Sequence, residues 1–179
     1  MKTKFFLILT FIIFITACET NDYPNIDISE ADLVGTWNLK SQVIKDGTLI
    51  VSIQDESISG NYSSIAEDID FTWTFSKNPN KLDLQGKYNF IISMIFLGQT
   101  ETEEQEINTD LIPIPSSSWS LNGNSITITE DNFGLPIMIL NVMEFSPNYI
   151  RLEGEIDESE TDNGYSITKK ATLYIELEK

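Results

Sequence analysis

From Leu33 onward, the chain consists of short runs in which apolar and polar residues alternate, and residues that favour turns separate these runs. In one run, Phe71, Trp73 and Phe75 alternate with threonines and a serine. A period of two is typical of a β-strand that buries one face, whereas a helix packed on a core needs a period near 3.6 residues. No helical period continues for long in this part of the chain. The pattern therefore predicts an all-β domain.

About ten strands are predicted, most of them joined by tight turns. The clearest element is a hairpin around Asn122-Gly123-Asn124, residues that tolerate the positive φ angles of a short turn. Asp46-Gly47 and Gly86 are interpreted as breaks between strands, and residues 55–68 as a loop or a short helix. Strands connected in series predict an up-and-down antiparallel β-barrel, because closure removes free edges. The predicted strands cover residues 34–44, 48–53, 71–76, 81–85, 88–97, 101–107, 117–121, 125–129, 135–145, 149–156 and 165–177.

The N-terminus has the organisation of an export signal. Two lysines precede an apolar run over residues 5–15, which is 11 residues long. That length fits the apolar region of a signal peptide and is short of the ~20 residues that a membrane-spanning helix needs. The following Ile15-Thr16-Ala17-Cys18 resembles the lipobox of bacterial lipoproteins. The resemblance implies cleavage before Cys18 and attachment of a diacylglyceryl group to its sulfur.

Three segments follow from this interpretation. Residues 1–17 are predicted to be a signal peptide, residues 18–32 a lipidated cysteine with a flexible tether, and residues 33–179 the barrel domain. The tether is polar and lacks a sustained apolar period. The mature protein is therefore expected in the cell envelope, anchored by lipid to a bacterial membrane, for which we expect the outer membrane.

Composition excludes several classes of function. The chain has 28 acidic and 11 basic side chains, and two of the lysines leave with the signal peptide, so the mature charge is 9 − 28 = −19. Such a surface repels phosphates, which argues against nucleic acid as a partner. There is no histidine, and Cys18 is the sole cysteine. The sequence thus lacks Ser-His-Asp or Cys-His catalysis, histidine-ligated zinc and a disulfide in the mature domain.

The start of the first strand suggests a family. Leu33-Val34-Gly35-Thr36-Trp37 resembles the Gly-x-Trp signature of lipocalins and related barrels, and the likeness would cover residues 33–179. The resemblance implies a barrel that Gly35 and Trp37 help to close. In that family an arginine from a late strand often covers the tryptophan. Arg151 is the only arginine, but its alternation with Ile150 and Leu152 predicts that it faces the other way.

The lipocalin resemblance also implies a cavity for a small hydrophobic ligand, whose identity the sequence does not specify. Apolar residues that share a face on two strands are the candidate lining. These predicted ligand-binding residues are Phe71, Trp73, Phe75, Tyr88, Phe90, Met94 and Phe96.

Two other functions are weighed against ligand binding. Because side chains can fill a barrel of this size, the domain could instead be an interaction module with a solid core and an acidic surface for another envelope protein. A carboxylate-based hydrolase is the third alternative, with Glu144 as the acid that interrupts an apolar stretch. Residues 157–164 are acidic but put Asp162 where a calcium loop needs glycine. No metal site and no cofactor are predicted.

Overall fold

The computed structural model describes Pro24 and residues 26–53, 56–111, 117–130, 136–162 and 164–179. The predicted signal peptide and Cys18 lie outside the described residues. The helix is α1 (Glu30–Leu33). The strands are β1 (Gly35–Ile53), β2 (Glu56–Ser76), β3 (Lys81–Phe96), β4 (Gln99–Asn108), β5 (Ser117–Asn122), β6 (Ser125–Glu130), β7 (Pro136–Ser146), β8 (Tyr149–Asp162) and β9 (Tyr165–Glu178).

The nine strands form one antiparallel sheet in the order β2-β1-β9-β8-β7-β6-β5-β3-β4. Because β2 also pairs with β3, the hydrogen bonds close into a ring. The predicted all-β class and antiparallel pairing are confirmed, and so is the hairpin, in which β5 and β6 pair from Ser117↔Glu130 to Asn122↔Ser125. The described residues form nine strands, where about ten were predicted.

Strands β4 and β5 pair with the same edge of β3, one after the other along its length. One edge of β3 pairs with β2, and the opposite edge pairs with β5 at Lys81 and Leu82 and with β4 from Lys87 to Phe96. Both pairings are antiparallel, so β4 and β5 run in the same direction and occupy one place beside β3. The ring therefore has eight strand positions, one of which is interrupted between β4 and β5.

Two of the predicted breaks are wrong, because the strands continue through them. At Asp46-Gly47 the register between β1 and β2 shifts, and Asp46 has φ 54°, so β1 bends without ending. Gly86 has φ 115° and lies inside β3, next to a register shift on β2. A β-bulge and a turn use the same unusual backbone angles. The residue types alone therefore did not distinguish a bend from a chain reversal.

The assignment of residues 55–68 to a loop or a short helix is also wrong. From Glu56 onward this segment is part of β2, which pairs with β1 on one edge and with β3 on the other. Residues 56–59 pair with β1, and from Gly60 onward β2 has a partner strand on both edges. Its side chains are polar because much of this half of β2 stays exposed on both faces.

The apolar core fills one end of the ring, which we call the narrow end. There the first half of β1 meets the last half of β9, and Trp37, Leu177 and Ile150 are essentially buried. Ile26 and Ile28 pack against this core. The structured chain thus includes part of the segment predicted as a tether, while the domain boundary itself stays a prediction.

The opposite end of the ring, the wide end, is built from fewer strands. Strands β1, β2, β3, β4, β8 and β9 extend beyond the core, while β6 ends at Glu130 and β7 begins at Pro136. In this region the described residues pair β4 only with β3, and β8 from Glu155 onward only with β9. The wide end is therefore a curved sheet of six strands whose two edges are β4 and β8.

Candidate ligand-binding face

One face of the sheet carries the buried core side chains, and we call it the inner face. On β3 it begins with Leu82 and continues through the even-numbered positions to Phe96, because the extra residue of the nearby bulge lies on β2. Register then identifies the inner residues of the neighbouring strands. At the wide end these residues form what we call the inner apolar surface: Leu49, Val51, Ile58, Phe90, Ile92, Met94, Phe96 and Ile167.

This surface is partly open to solvent. Ile58 is 51% exposed, and the remaining members are intermediate in burial. Such side chains contrast with those of the narrow end, where Trp37, Leu140 and Leu152 are 0% exposed. The inner face thus passes from a packed core to a half-exposed apolar surface along the same strands.

The structure separates the seven predicted ligand-binding residues into two groups. Four belong to the packed core, with exposures of 5% for Phe71, 5% for Trp73, 2% for Phe75 and 9% for Tyr88. The other three, Phe90, Met94 and Phe96, lie on the inner apolar surface. Their contact with a ligand stays a prediction.

Contacts between aromatic side chains explain why the first group is buried. Phe71 meets Tyr88 edge to face at 5.2 Å between ring centroids, and Phe75 meets Trp119 in the same way at 5.6 Å. The Trp119 indole donates a hydrogen bond to the carbonyl oxygen of Ser76 at 3.0 Å. Burial raises the pKa of the Tyr88 hydroxyl. These aromatic side chains fill the interior with each other, as expected for an aromatic core.

Tyr88 and Phe90 link the core to the inner apolar surface, with their rings edge to face at 6.1 Å between centroids. Farther along β3, the ring of Phe96 lies over Gly60, where an added Cβ would be 2.5 Å from the ring. Gly60 therefore provides the space in which Phe96 lies against the sheet. The apolar pattern of the sequence indicates Phe96 but not Gly60, since a glycine inside a strand gives no apolar signal.

Residues of β1, β2 and β9 on the inner apolar surface were also missed as site residues. On β9 the signal is present, because Ile167 continues the period of Ala171, whereas on β1 the apolar Ile50 lies between Leu49 and Val51 and interrupts the alternation. Only the register shows that these strands face the same region as Met94.

A buried hydroxyl lies at the junction between the core and the inner apolar surface. Ser64 is 5% exposed, and within the described part of the chain its Oγ has no hydrogen-bond partner. It lies opposite Ile44 on β1 and Ile92 on β3, on the inner face. A buried polar group without a partner is unfavourable.

Acidic residues lie on the two strands that border the inner apolar surface. By register, β4 places Glu101 and Glu103 on the inner face opposite Met94 and Ile92. Strand β8 similarly places two glutamates on the inner face, opposite residues of β9. These four inner glutamates are Glu101, Glu103, Glu158 and Glu160.

The inner glutamates outnumber the cations near them. Among the described residues, Lys169 is on the inner face of β9, and its Nζ lies 3.9 Å from a carboxylate oxygen of Glu158. Burial raises the pKa of Tyr62 on β2, and the Glu158 carboxylate raises it further. This influence is consistent with Glu158 facing the concave side of the sheet, as its register indicates.

Trp37 is fully buried at the narrow end, and its role in closing a barrel stays a prediction. Its indole donates a hydrogen bond to the carbonyl oxygen of Leu33 at 2.7 Å. The ammonium of Lys179 lies 4.3 Å above the centroid of its ring and donates to the carbonyl oxygen of Asp32 at 3.1 Å. Gly35, at φ 124°, lies beside the Lys179 side chain. The cation over Trp37 is therefore a lysine.

Arg151 faces away from Trp37, as its alternation predicts. Its neighbours Ile150 and Leu152 are buried, whereas its guanidinium lies 3.6 Å from a carboxylate oxygen of Glu144. The Glu144 side chain is 60% exposed. The acid chosen for the hydrolase alternative thus belongs to an exposed ion pair.

The opposite, outer face carries an apolar row that crosses four strands. Tyr174, Val43, Ile65 and Ile91 lie side by side in register. A shallow groove of about 310 Å³ follows part of this row, and a second groove of about 480 Å³ adjoins it near Asp46. None of the seven predicted ligand-binding residues lines either groove.

Comparison with models of known families, with curated proteins and with solved structures finds no match for this chain. Among the described residues, no helix has the length and hydropathy to cross a bilayer. In the same residues, no three histidine, cysteine, aspartate or glutamate side chains come together as a group that would hold a metal ion.

Proposed function

We propose that this protein is a non-catalytic, lipocalin-like β-barrel that binds a small hydrophobic ligand at the cell envelope. The ring has eight strand positions, and barrels of about eight strands are wide enough to hold one small ligand. The ammonium of Lys179, the residue after β9, lies over Trp37, at a place where lipocalins often have an arginine from a late strand.

The inner apolar surface is the observation that carries the proposal. Its side chains lie on the concave side of six strands and remain partly exposed. Covering apolar surface contributes about 25 cal/mol per Å², so about 300 Å² of contact would contribute roughly 7 kcal/mol before the costs of association.

A matched pair of variants tests this function. Met94→Asp places a carboxylate on the inner face, whereas Ile95→Asp places one on the outer face of the same strand. We expect Met94→Asp to weaken the binding of a neutral apolar fluorophore at least about tenfold, since a buried unpaired charge is costly, and Ile95→Asp to leave binding unchanged. Fluorescence titration of the chain starting at Glu19 measures both.

Native mass spectrometry of the same material should also find retained ligand. If the unaltered chain binds no fluorophore and carries no ligand, the proposal is wrong. Salt-sensitive capture of one specific envelope protein by that empty chain would then favour the interaction module, with the outer apolar row and the acidic surface as its contact regions.

The second part of the proposal concerns the anchor. Because Ile26 packs on the core, only residues 18–25 would separate the lipidated sulfur from the domain. Eight residues reach at most about 28 Å when fully extended. The domain would therefore stay close to the membrane surface, so that a hydrophobic ligand could pass between membrane and protein over a short distance.

Cys18→Ala should release the protein from the membrane. Without the Cys18 sulfur the mature protein cannot carry the acyl chains, and these chains are its proposed attachment to the membrane. Fractionation of cells that express the unaltered chain and the variant measures the effect. A variant that remains in the membrane fraction would show that the attachment lies elsewhere.

A further inference from the structure

We infer that the ligand is a cationic amphiphile, whose apolar tail lies on the inner apolar surface and whose positive head lies among the four inner glutamates. This inference rests on the proposed function and specifies the chemical class of its ligand. It is drawn from the charge and position of the residues that border the wide end.

The inner glutamates lie on the two strands that form the edges of the wide end. Strand β4 contributes Glu101 and Glu103, and β8 contributes Glu158 and Glu160. Two strand positions, those of β6 and β7, separate the positions of β4 and β8 in the ring. In the part of the chain that the structure describes, nothing pairs with the outer edges of β4 and β8 here, and three spacings of about 4.8 Å put these edges roughly 14 Å apart. A small head group entering there has carboxylates on either side.

The charge balance of this border determines the sign of the head group. Four glutamates lie on the inner face of the two edge strands, and Lys169, the cation among them, is already paired with Glu158. An anionic head between the two edges would meet repulsion from both. A cationic head would form charge-assisted contacts with the remaining carboxylates, and these are stronger than contacts between neutral groups.

Ser64 is a second and independent indication of a bound molecule. Its hydroxyl is buried, lies on the inner face and lacks a partner among the described residues. It lies beside Ile92, at the inner end of the surface that the tail would cover. A ligand with a hydroxyl, ether or ester oxygen in its apolar part would supply the missing hydrogen bond.

Edge strands often carry charges that prevent sheets from joining, and this offers a different explanation of the glutamates. Strand β4 allows the two explanations to be distinguished. Glu104 and Glu106 lie on its outer face, opposite Ile91 and Asn89, whereas Glu101 and Glu103 lie on its inner face. Protection of the edge would use both pairs alike, while recognition of a head group requires only the inner pair.

The experiment uses the full chain in the cell fraction that contains it. That fraction is irradiated with a photoreactive alkyl probe that carries a trimethylammonium head, and in parallel with a probe of the same chain length that carries a sulfonate head. Mass spectrometry of peptides locates the attachment. We expect the cationic probe to label peptides of β1, β2 and β3 at the wide end at least about tenfold more than the anionic probe.

Two double variants remove the same charge from opposite faces of β4. Glu101→Gln with Glu103→Gln should reduce labelling by the cationic probe about tenfold, whereas Glu104→Gln with Glu106→Gln should change it less than about twofold. Equal labelling of the inner face by both probes would overturn the cationic inference and leave the ligand-binding function standing. Equal effects of the two double variants would also overturn it. Absence of labelling on the inner face by either probe would overturn both proposals.

Discussion

Replacing Trp37 with alanine is expected to lower the free energy of unfolding by about 3 to 5 kcal/mol, the range for a fully buried tryptophan. Trp37 is 0% exposed at the narrow end, where it contacts Lys179 through its ring face and Leu33 through its indole N–H. The loss would therefore combine a large cavity with a lost hydrogen bond. Urea unfolding followed by circular dichroism measures it.

Two conservative variants separate the hydrogen bond from the packing. Trp37→Phe removes a donor and leaves the Leu33 carbonyl oxygen without it, whereas Trp73→Phe removes a buried N–H that has no partner among the described residues. Both indoles are almost fully buried. We expect Trp37→Phe to cost about 1 to 3 kcal/mol more than Trp73→Phe, because only the first leaves a buried acceptor unpaired. Equal costs would contradict this role of the Trp37 hydrogen bond.

Replacing Gly86 with alanine is expected to lower the free energy of unfolding by about 3 kcal/mol or more. Its φ of 115° is one that residues with a side chain rarely adopt, and an added Cβ would clash with the Asp70 carbonyl oxygen on the neighbouring strand. The variant must therefore distort either its own backbone or β2. Because the clash is with backbone, no side-chain rotation can relieve it.

Gly98→Ala is the matched control. Gly98 has φ 78°, but an added Cβ would meet nothing within 4 Å. In this variant the free energy of unfolding should fall by only about 1 kcal/mol or slightly more, because a residue with a Cβ is disfavoured at positive φ. Thermal and urea unfolding of the two variants measure the difference. Similar losses would show that the backbone angle, and not the approach of β2, is what requires glycine at position 86.

The sequence predicted strands and turns correctly where residues adjacent in the chain determine them. The alternation of Phe71, Trp73 and Phe75 predicted one inward face, and the structure has all three buried. Asn122-Gly123 predicted a tight turn, and Gly123 has φ 61° between β5 and β6. In both cases the period of the side chains or the preference of a turn residue is local, so the sequence carries it directly.

Bulges and chain reversals were confused because they have the same local requirement. Asp46 and Gly86 adopt positive φ angles, as residues in tight turns do. Whether the chain then continues beside the same partner or folds back depends on the strands that pair with it. Long strands such as β1 and β2 exist because their neighbours offer hydrogen bonds on both sides.

Similarly, the sequence identified apolar inner faces but did not separate core from open surface. Phe75 and Phe96 have the same residue type and lie on the inner face of adjacent strands, yet Phe75 is 2% exposed and Phe96 is only partly buried. The difference arises from β6 and β7, which cover the narrow end and do not extend over the wide end. Exposure depends on elements that are distant in sequence.

By itself, the sequence determined that this chain forms antiparallel strands with one apolar face, since the side-chain period is a property of consecutive residues. Only the tertiary structure decided that β4 and β5 share one place beside β3. It also decided that, among the described residues, the ring closes at one end and has the free edges of β4 and β8 at the other, and that inner glutamates lie on these edges. The physical reason is that register and strand length are set by hydrogen bonds between segments far apart in the chain.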